Sequence, residues 1–271
     1  MLVFTALLWS MGGLLIKSID WNAPAIAGGR SAIGALVLLS AVRPRHFTWS
    51  VAQIGAAVAY AVTVTLFVIA NKLTTAANAI LLQYTAPLWV ALFSSWYLKE
   101  PARWYDWPII VLILAGIALF FMDQLTVSGF RGNVLALLTG VSFGWLALLM
   151  RKQKAGSPLE SVFLGNVLTT LVCLPFMVGS LPSARGSTAL GFGLLAVLGV
   201  FQLGLSYILY SSAVRHVTAL EVMLIPALEP ILNPMLVLLV LGERPGLHAL
   251  IGGTIVLGAV TARGALTIRG R

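Results

Sequence analysis

The sequence predicts an all-α, polytopic membrane protein whose ten transmembrane helices form two inverted five-helix repeats around a central cavity. Three observations lead to this fold class. Hydrophobic residues make up 59% of the 271 residues and charged residues only 9%, far from the composition of soluble domains. Apolar runs long enough to cross a bilayer recur along the whole chain. One segment also occurs twice, 143 positions apart, with five predicted spans from one copy to the other.

Ten apolar runs are candidates for membrane spans, because a helix needs about 20 apolar residues to cross a hydrocarbon core of ~30 Å. They occupy most of the chain and leave no room for a soluble domain. The first begins at Met1 with no basic segment or cleavage site, so we interpret it as a retained span and not a signal peptide. The runs lie at residues 2–17, 24–42, 51–70, 75–98, 107–122, 132–150, 159–178, 189–212, 217–241 and 246–264.

Residues 70–100 align without a gap with residues 213–243, which divides the chain into a first repeat, 1–125, and a second repeat, 126–271. In each copy a basic residue stands near the start, a proline lies at the middle and a glutamate closes the segment. Because an odd number of spans relates the copies, they point in opposite directions. Inverted repeats with interrupted helices are typical of secondary transporters. Seven of the 31 positions are identical: Ala70/Ala213, Thr75/Thr218, Ala76/Ala219, Leu81/Leu224, Pro87/Pro230, Leu98/Leu241 and Glu100/Glu243.

The net charge of +9 reflects membrane orientation and not nucleic-acid binding. If the N-terminus is cytoplasmic, eleven lysines and arginines lie on the cytoplasmic side and five on the outer side, which satisfies the positive-inside rule. We therefore expect both termini to be cytoplasmic. Only Arg30 among the cationic residues lies within a span. The single cysteine, Cys173, excludes an internal disulfide and, without partners, a thiolate metal site.

Glu229, at the centre of the ninth span, is the most costly polar residue to keep in a membrane. A charge there costs ~2.5–3.5 kcal/mol on insertion scales, so its side chain should face a cavity or a partner. Neighbouring prolines free backbone carbonyls, and we expect a kink with hinges at Pro87 and Pro230. Glu229 is then either a functional cavity residue or a structural partner of Arg30 or of the freed carbonyls. The flanking prolines are Pro226, Pro230 and Pro234.

Polar and aromatic stripes on the other spans supply further candidates for a cavity wall, because residues spaced by four share one helix face. The alternative for each stripe is packing or hydrogen bonding between helices. The candidate substrate-binding residues are Trp9, Arg30, Asn78, Gln83, Tyr84, Trp145, Asn166, Gln202, Ser206, Tyr207, Tyr210, Glu229 and Asn233.

These features resemble the EamA-type exporters of the drug/metabolite transporter superfamily. The resemblance rests on two five-span halves, the LW pair in the first helix, Arg30, and the block LEPILNPMLVLLVLGE that ends in Glu243. It covers essentially the whole chain, and among subfamilies it points to the bacterial aromatic amino acid exporters. It implies a ten-helix exporter of the bacterial inner membrane that needs no cofactor and no nucleotide hydrolysis. The first half departs from the second at Ala86, which occupies the position of Glu229, so carboxylate chemistry would be asymmetric.

We expect a secondary-active or facilitative exporter of small metabolites, with amino acids, including aromatic ones, as the favoured substrates. Arg30 would attract a carboxylate and Glu229 an ammonium, while aromatic residues stack on the side chain. An exporter of lipophilic cations is the alternative, because one anionic Glu229 among aromatic residues would serve it as well. The expected partners are the substrate and the lipid bilayer, and not nucleic acid. Monomer and homodimer, and proton exchange and facilitated diffusion, stay open.

An intramembrane enzyme is the third class of function, and the sequence argues against it. A GLSY segment around Ser206 superficially resembles the serine turn of intramembrane proteases. The only conceivable bases, His216 and His248, lie by the loops, and no HExxH, Walker A or paired-aspartate motif is present. We therefore expect no catalytic residues and no metal.

Overall fold

The computed structural model describes residues 1–43, 47–120, 122, 129–156, 158–178, 188–231 and 247–269. Within these ranges the chain is helical and contains no strand, which confirms the predicted all-α fold class. The described helices are α1 (Leu2–Ser10), α2 (Gly12–Ser18), α3 (Ala23–Leu39), α4 (Val51–Leu73), α5 (Ala76–Gln83), α6 (Ala86–Leu98), α7 (Asp106–Phe120), α8 (Phe130–Lys152), α9 (Pro158–Val178), α10 (Thr188–Val197), α11 (Ser206–Ala213), α12 (Ala219–Leu224) and α13 (Leu247–Arg269).

These helices account for the ten spans, four of which have two or more parts. The first span is α1 with α2, the fourth is α5 with α6, and the eighth is α10 and α11 joined by a π-helical segment, Leu198–Leu205. The ninth begins with α12 and a 3₁₀ turn, Ile225–Leu228, and its end lies outside the described residues. Five of the ten are long and apolar enough to cross a bilayer: Val51–Leu73, Ala76–Leu98, Phe130–Lys152, Pro158–Met177 and Ala189–Ala213.

The fourth and ninth spans begin in the same way, as the repeat requires. Thr75 caps α5 by accepting a hydrogen bond from the backbone N–H of Asn78 at 3.0 Å. Thr218 caps α12 by accepting one from the N–H of Glu221 at 3.3 Å, and the Glu221 carboxylate accepts the N–H of Thr218 at 2.8 Å. Hydroxyl caps satisfy donors that have no partner inside a helix. Thr75 and Thr218 occupy identical repeat positions, so one local signal starts both copies.

Helix packing also repeats itself between the halves. The third span packs against the sixth and seventh, and the eighth packs against the first and second. The second packs against the seventh, and the fifth against the tenth. Replacing each span by the one five places further along the chain converts the two pairs of the third span into the two pairs of the eighth, and maps the second–seventh and fifth–tenth pairs onto themselves. The centre of the molecule is therefore an interface between two equivalent halves, while the predicted boundary between residues 125 and 126 lies outside the described residues.

We expect cysteine labelling to report the orientation of the spans. Asp20 is exposed between the first and second spans, and Lys154 is exposed between the sixth and seventh. Asp20→Cys should react with a membrane-impermeant maleimide only from outside, and Lys154→Cys only from the cytoplasmic side. The parent protein is the control, because its Cys173 is buried. Labelling of both positions from one side would contradict the ten-span topology.

Candidate substrate cavity

A cavity of about 40 Å³ lies at the interface between the two halves. One water molecule takes about 30 Å³ of liquid, whereas ligand pockets usually measure about 300–1,000 Å³. The cavity is therefore contracted in this structure, which is here called the closed conformation, and a metabolite can fit only when the helices move apart. Seven spans line the cavity, through Trp9, Arg30, Thr63, Val64, Phe67, Gln83, Phe143, Gln202, Leu203, Tyr207 and Glu229.

Four of these spans are interrupted close to the cavity. The first breaks at Met11, the fourth between Gln83 and Ala86, the eighth has its π-helical segment, and the ninth has its 3₁₀ turn. Pro87 lies in the first turn of α6 and Pro226 at the start of the 3₁₀ turn, where a missing N–H costs nothing. Interrupted helices leave backbone carbonyls that polar side chains must satisfy in a membrane. The breaks and the polar residues therefore occur together.

Arg30 is the only cation among the residues that line the cavity, and neutral groups hold it. Its side chain is 1% exposed. Nη1 donates to the Gln202 side-chain oxygen at 2.8 Å, and Nη2 donates to the backbone oxygen of Val64 at 2.9 Å. Nε has no hydrogen-bond partner among the described residues. The interpretation of Glu229 as the ion-pair partner of Arg30 is therefore wrong, because Gln202 and Val64 hold the guanidinium.

A chain of contacts fixes Gln202 opposite Arg30. Gly12 leaves room for the Gln202 amide, which a Cβ at that position would overlap. The Ser206 hydroxyl donates to the backbone oxygen of Gln202, and Trp9 Nε1 donates to the Ser206 hydroxyl at 3.0 Å. The first, second and eighth spans are thereby connected through one polar chain that ends at the guanidinium.

Glu229 lies on the ninth span, and its contacts differ from those of Arg30. It is 5% exposed, and no cation of the described residues lies within ion-pairing distance of it. The Tyr84 hydroxyl lies 2.8 Å from its Oε2 and 2.6 Å from the backbone oxygen of Pro226. Tyr84 belongs to the first repeat and Glu229 to the second. Both charged residues of the cavity are thus hydrogen-bonded across the interface between the halves.

Aromatic rings form the apolar wall of the cavity. The Trp9 ring lies 5.6 Å from Phe143, 5.3 Å from Tyr207 and 5.4 Å from Tyr210, and Tyr60 lies 4.9 Å from Tyr207. These separations and tilted geometries are those of favourable aromatic pairs. The cavity therefore offers stacking surfaces next to one cation and one carboxyl group.

The structure brings together most of the residues that the sequence proposed for the cavity. Trp9, Arg30, Gln83, Gln202, Tyr207 and Glu229 line it. Tyr84, Ser206 and Tyr210 contact lining residues directly. Asn166 lies one step further away and donates to the Tyr60 hydroxyl at 2.9 Å. Pro87 and Pro230 are buried beside the interruptions of their spans.

Two proposed residues do not belong to this group, and a third lies outside the described residues. Trp145 stacks on Phe93, with ring centroids 5.3 Å apart, and does not line the cavity. Asn78 donates to Asn133 Oδ1 at 2.9 Å near the outer end of the fourth span, so it connects helices there. Asn233 lies outside the described residues.

Sequence reasoning missed the lining residues of the third span, although a signal was available. The ungapped 143-residue offset, extended towards the N-terminus, pairs Thr63 with Ser206, Val64 with Tyr207 and Phe67 with Tyr210. The eighth-span residues form a polar stripe, whereas their third-span counterparts include apolar residues and form no such stripe. Phe143 and Leu203 carry no polar signal and were missed for the same reason.

Five charged residues, here called the inner cluster, close the end that we expect to be cytoplasmic. Arg151 Nε donates to Glu100 at 2.9 Å, and Arg263 contacts Asp106 at 3.1 Å and Glu221 at 2.8 Å. The ion pairs Arg151–Glu100 and Arg263–Asp106 each join the two repeats. A cavity of about 150 Å³ adjoins this cluster and is larger than the central one. Its charged groups bind mainly one another, so the central cavity is the better candidate for a substrate site.

Two lysines, here called the outer cluster, connect the first and third spans at the opposite end, within the first repeat. Lys72 Nζ donates to the backbone oxygen of Ile19 at 2.6 Å, in the loop after the first span. Its repeat equivalent, Arg215, donates to the backbone oxygen of Gly156 at 3.1 Å, in the loop after the sixth span. Lys17 Nζ donates to the oxygen of Thr74 at 3.2 Å. Lys72 and Arg215 therefore make the same kind of contact at opposite ends of the molecule with different side chains.

Replacing Gly12 should disturb the Arg30 site. The Cβ of Gly12→Ala would overlap Gln202, so we expect a loss of ~1–3 kcal/mol of stability, as is usual for overpacking. Gly258→Ala is the matched control, since its Cβ would contact nothing within 4 Å and alanine favours helix by up to ~1 kcal/mol. Thermal unfolding in detergent measures both variants. Equal melting temperatures for Gly12→Ala and the parent would contradict the proposed packing.

Comparison with known proteins agrees with the helical repeat. The model of the EamA-like transporter family matches residues 1–122 and again residues 130–262. An uncharacterized transporter from Clostridium kluyveri is 23% identical over 213 residues, which are 74% of this chain and 68% of that protein. A solved crystal structure matches 98% of this chain and 96% of its own with a TM-score of 0.77. Its sequence identity is 20%, so the likeness shows a shared fold.

The two family matches correspond to the two halves that pack around the cavity, and together they cover most of the chain. A transporter, and not an enzyme, is the activity that this family and the named relative indicate. The chain belongs to the EamA-like transporter family, whose members are polytopic membrane proteins with an internal repeat.

Proposed function

We propose that this protein exports amino acids, including aromatic ones, across the bacterial inner membrane by alternating access. One observation carries the proposal: a single cavity presents Arg30 and Glu229, from different repeats, beside a wall of aromatic rings. An amino acid zwitterion has a carboxylate, an ammonium and a side chain that match these three elements. The closed cavity of about 40 Å³ fits a transporter that opens to one side at a time.

Arg30 suits a carboxylate because its present partners are neutral. The bond to Gln202 is already charge-assisted by the guanidinium, but a carboxylate acceptor adds the attraction between opposite charges and can accept two parallel hydrogen bonds from an arginine. A substrate carboxylate that replaces the Gln202 amide as acceptor would therefore bind the guanidinium more strongly than the amide does. Nε, which has no partner among the described residues, offers a second donor. Gln202 can release Arg30 without leaving a buried charge, because an amide is neutral.

Glu229 suits an ammonium because it has no cation partner among the described residues. The same carboxyl among aromatic rings would also attract a lipophilic cation, the alternative substrate class. Arg30 in the same cavity disfavours that alternative, since like charges repel strongly where little water screens them. A zwitterion satisfies both residues, whereas a cation leaves Arg30 unpaired.

We expect transport measurements to separate the two substrate classes. Proteoliposomes with the wild-type protein should show counterflow of radiolabelled aromatic amino acids, and little uptake of tetraphenylphosphonium. Glu229→Gln preserves volume but removes the charge, so it should reduce amino acid counterflow about ten- to hundred-fold, the equivalent of ~1.5–3 kcal/mol. Asp20→Asn, the same chemical change at an exposed loop residue, should transport like the wild type.

The outcome that contradicts this proposal is also specific. Efficient transport of tetraphenylphosphonium without amino acid counterflow would favour the cation exporter. Full amino acid transport by a stable Glu229→Gln variant would remove Glu229 from the site. Melting temperatures of both variants exclude misfolding as the cause of a loss.

Alternating access requires the two ends to open in turn, and the inner and outer clusters give a way to test this. Thr63→Cys places a small thiol in the cavity wall, in a background that lacks Cys173. Glu100→Gln weakens the pair with Arg151, so we expect labelling of that thiol from the cytoplasmic side to rise about fivefold, the equivalent of ~1 kcal/mol. Lys72→Met should raise labelling from the outside instead. If either variant changed labelling equally from both sides, the inner and outer clusters would not close the two ends separately.

A further inference from the structure

The Tyr84 hydroxyl lies between two oxygens that cannot both accept its single proton in a full hydrogen bond. The backbone oxygen of Pro226 is 2.6 Å away and Oε2 of Glu229 is 2.8 Å away, and both distances are those of full O–H···O bonds. A phenol has one hydrogen to donate, and a carbonyl oxygen has none. Two full bonds therefore need a second hydrogen, and only the Glu229 carboxyl can supply it.

The surroundings of Glu229 favour the protonated form as well. The side chain is 5% exposed, and an isolated carboxylate in an apolar interior is costly without a cation or several donors. The packed elements offer few such groups. The first helix presents Trp9 and no titratable side chain, the fourth span presents Tyr84, and the eighth presents Tyr207 and Tyr210.

The two cations of the neighbouring elements are occupied by other groups. Arg30, across the cavity, donates to Gln202 and Val64. Arg263, on the tenth span, contacts Asp106 and Glu221 of the inner cluster. Neither forms an ion pair with Glu229, so no cation of the described residues neutralises the Glu229 carboxylate, and a proton can do so instead.

We propose that Glu229 holds an exchangeable proton in this closed state and that this proton and the ammonium of the substrate compete for the same carboxyl. In this state Tyr84 donates to the Pro226 oxygen and accepts from the Glu229 O–H. When an ammonium arrives, the O–H bond of Glu229 breaks, the proton leaves to solvent, and the carboxylate pairs with the ammonium. Departure of the ammonium lets the carboxylate take a proton again.

Competition at one carboxyl makes the protein an exchanger, because each half of its cycle carries either a proton or a substrate. One proton moves inward for each zwitterion that moves outward, so one positive charge enters per cycle. This inference rests on the proposed function for the identity of the substrate, but the proton on Glu229 can be tested without any substrate.

Infrared spectra of the ligand-free protein test the proton directly. The wild type should show a protonated-carboxyl C=O band that shifts in D₂O and is absent from Glu229→Gln. Tyr84→Phe should displace the band, because the carboxyl loses its hydrogen-bond partner, whereas Asp20→Asn, at an exposed loop residue, should leave it in place. A wild-type spectrum identical to that of Glu229→Gln in this region would overturn the proposal, whatever the substrate.

Exchange itself is tested with the substrate. Binding of an aromatic amino acid in weakly buffered detergent solution should release about one proton per site, and release should vanish at alkaline pH. Acid outside the proteoliposomes should accelerate efflux of trapped amino acid several-fold. Binding without proton release at every pH, or efflux unaffected by the gradient, would overturn the exchange while leaving amino acid transport intact. Absence of any amino acid binding would instead refute the proposed function.

Discussion

A polar group inside the hydrocarbon core of a membrane has no water to bond with, and this constraint organises the structure. Each break in a span exposes backbone groups, and each charged side chain needs partners, so both occur where the halves meet. Arg30 is satisfied by an amide and a carbonyl oxygen, and Tyr84 satisfies the carbonyl of the broken ninth span. The polar contacts that satisfy these buried groups therefore also create a site that can bind a polar ligand.

The inverted repeat places equivalent contacts twice and lets their chemistry differ. Thr63 donates to Ser142 at 2.9 Å between the third and sixth spans, while its counterpart Ser206 accepts from Trp9 between the eighth and first. The helix pairs are equivalent and both bonds run between side chains. What differs is the ligand-facing chemistry, since the counterpart of Glu229 is Ala86. A symmetrical scaffold with an asymmetrical centre needs only a few substitutions to gain or change a substrate.

The fold was largely predictable because its signals are spread over many residues. Composition and run length predict spans, and the aligned copies predict equivalent breaks, which the structure has at Tyr84 and in the 3₁₀ turn before Glu229. The site was predictable where polarity is rare, as for Arg30 and Gln202. It was not predictable for Phe143, since an apolar ring in a membrane helix has no feature that separates cavity wall from lipid contact. Trp145 is the opposite case: an aromatic residue that the sequence suggested for the cavity wall packs on Phe93 of a neighbouring helix instead.

The placement of the charges on different halves also bears on how a substrate could drive the conformational cycle. A ligand shifts an equilibrium only by as much as its affinity differs between the two states. A zwitterion that contacts Arg30 with one end and Glu229 with the other joins the halves, so it gains most in the closed state and least when the halves separate. Without a ligand, the bonds from Arg30 to Gln202 and between Tyr84 and Glu229 join the same two halves. The empty protein can therefore also reach the closed state, with its cavity contracted to about 40 Å³, and complete the return step. The substrate and the internal hydrogen bonds therefore join the halves in alternation. A transporter that passes through the closed state with and without substrate needs both kinds of contact.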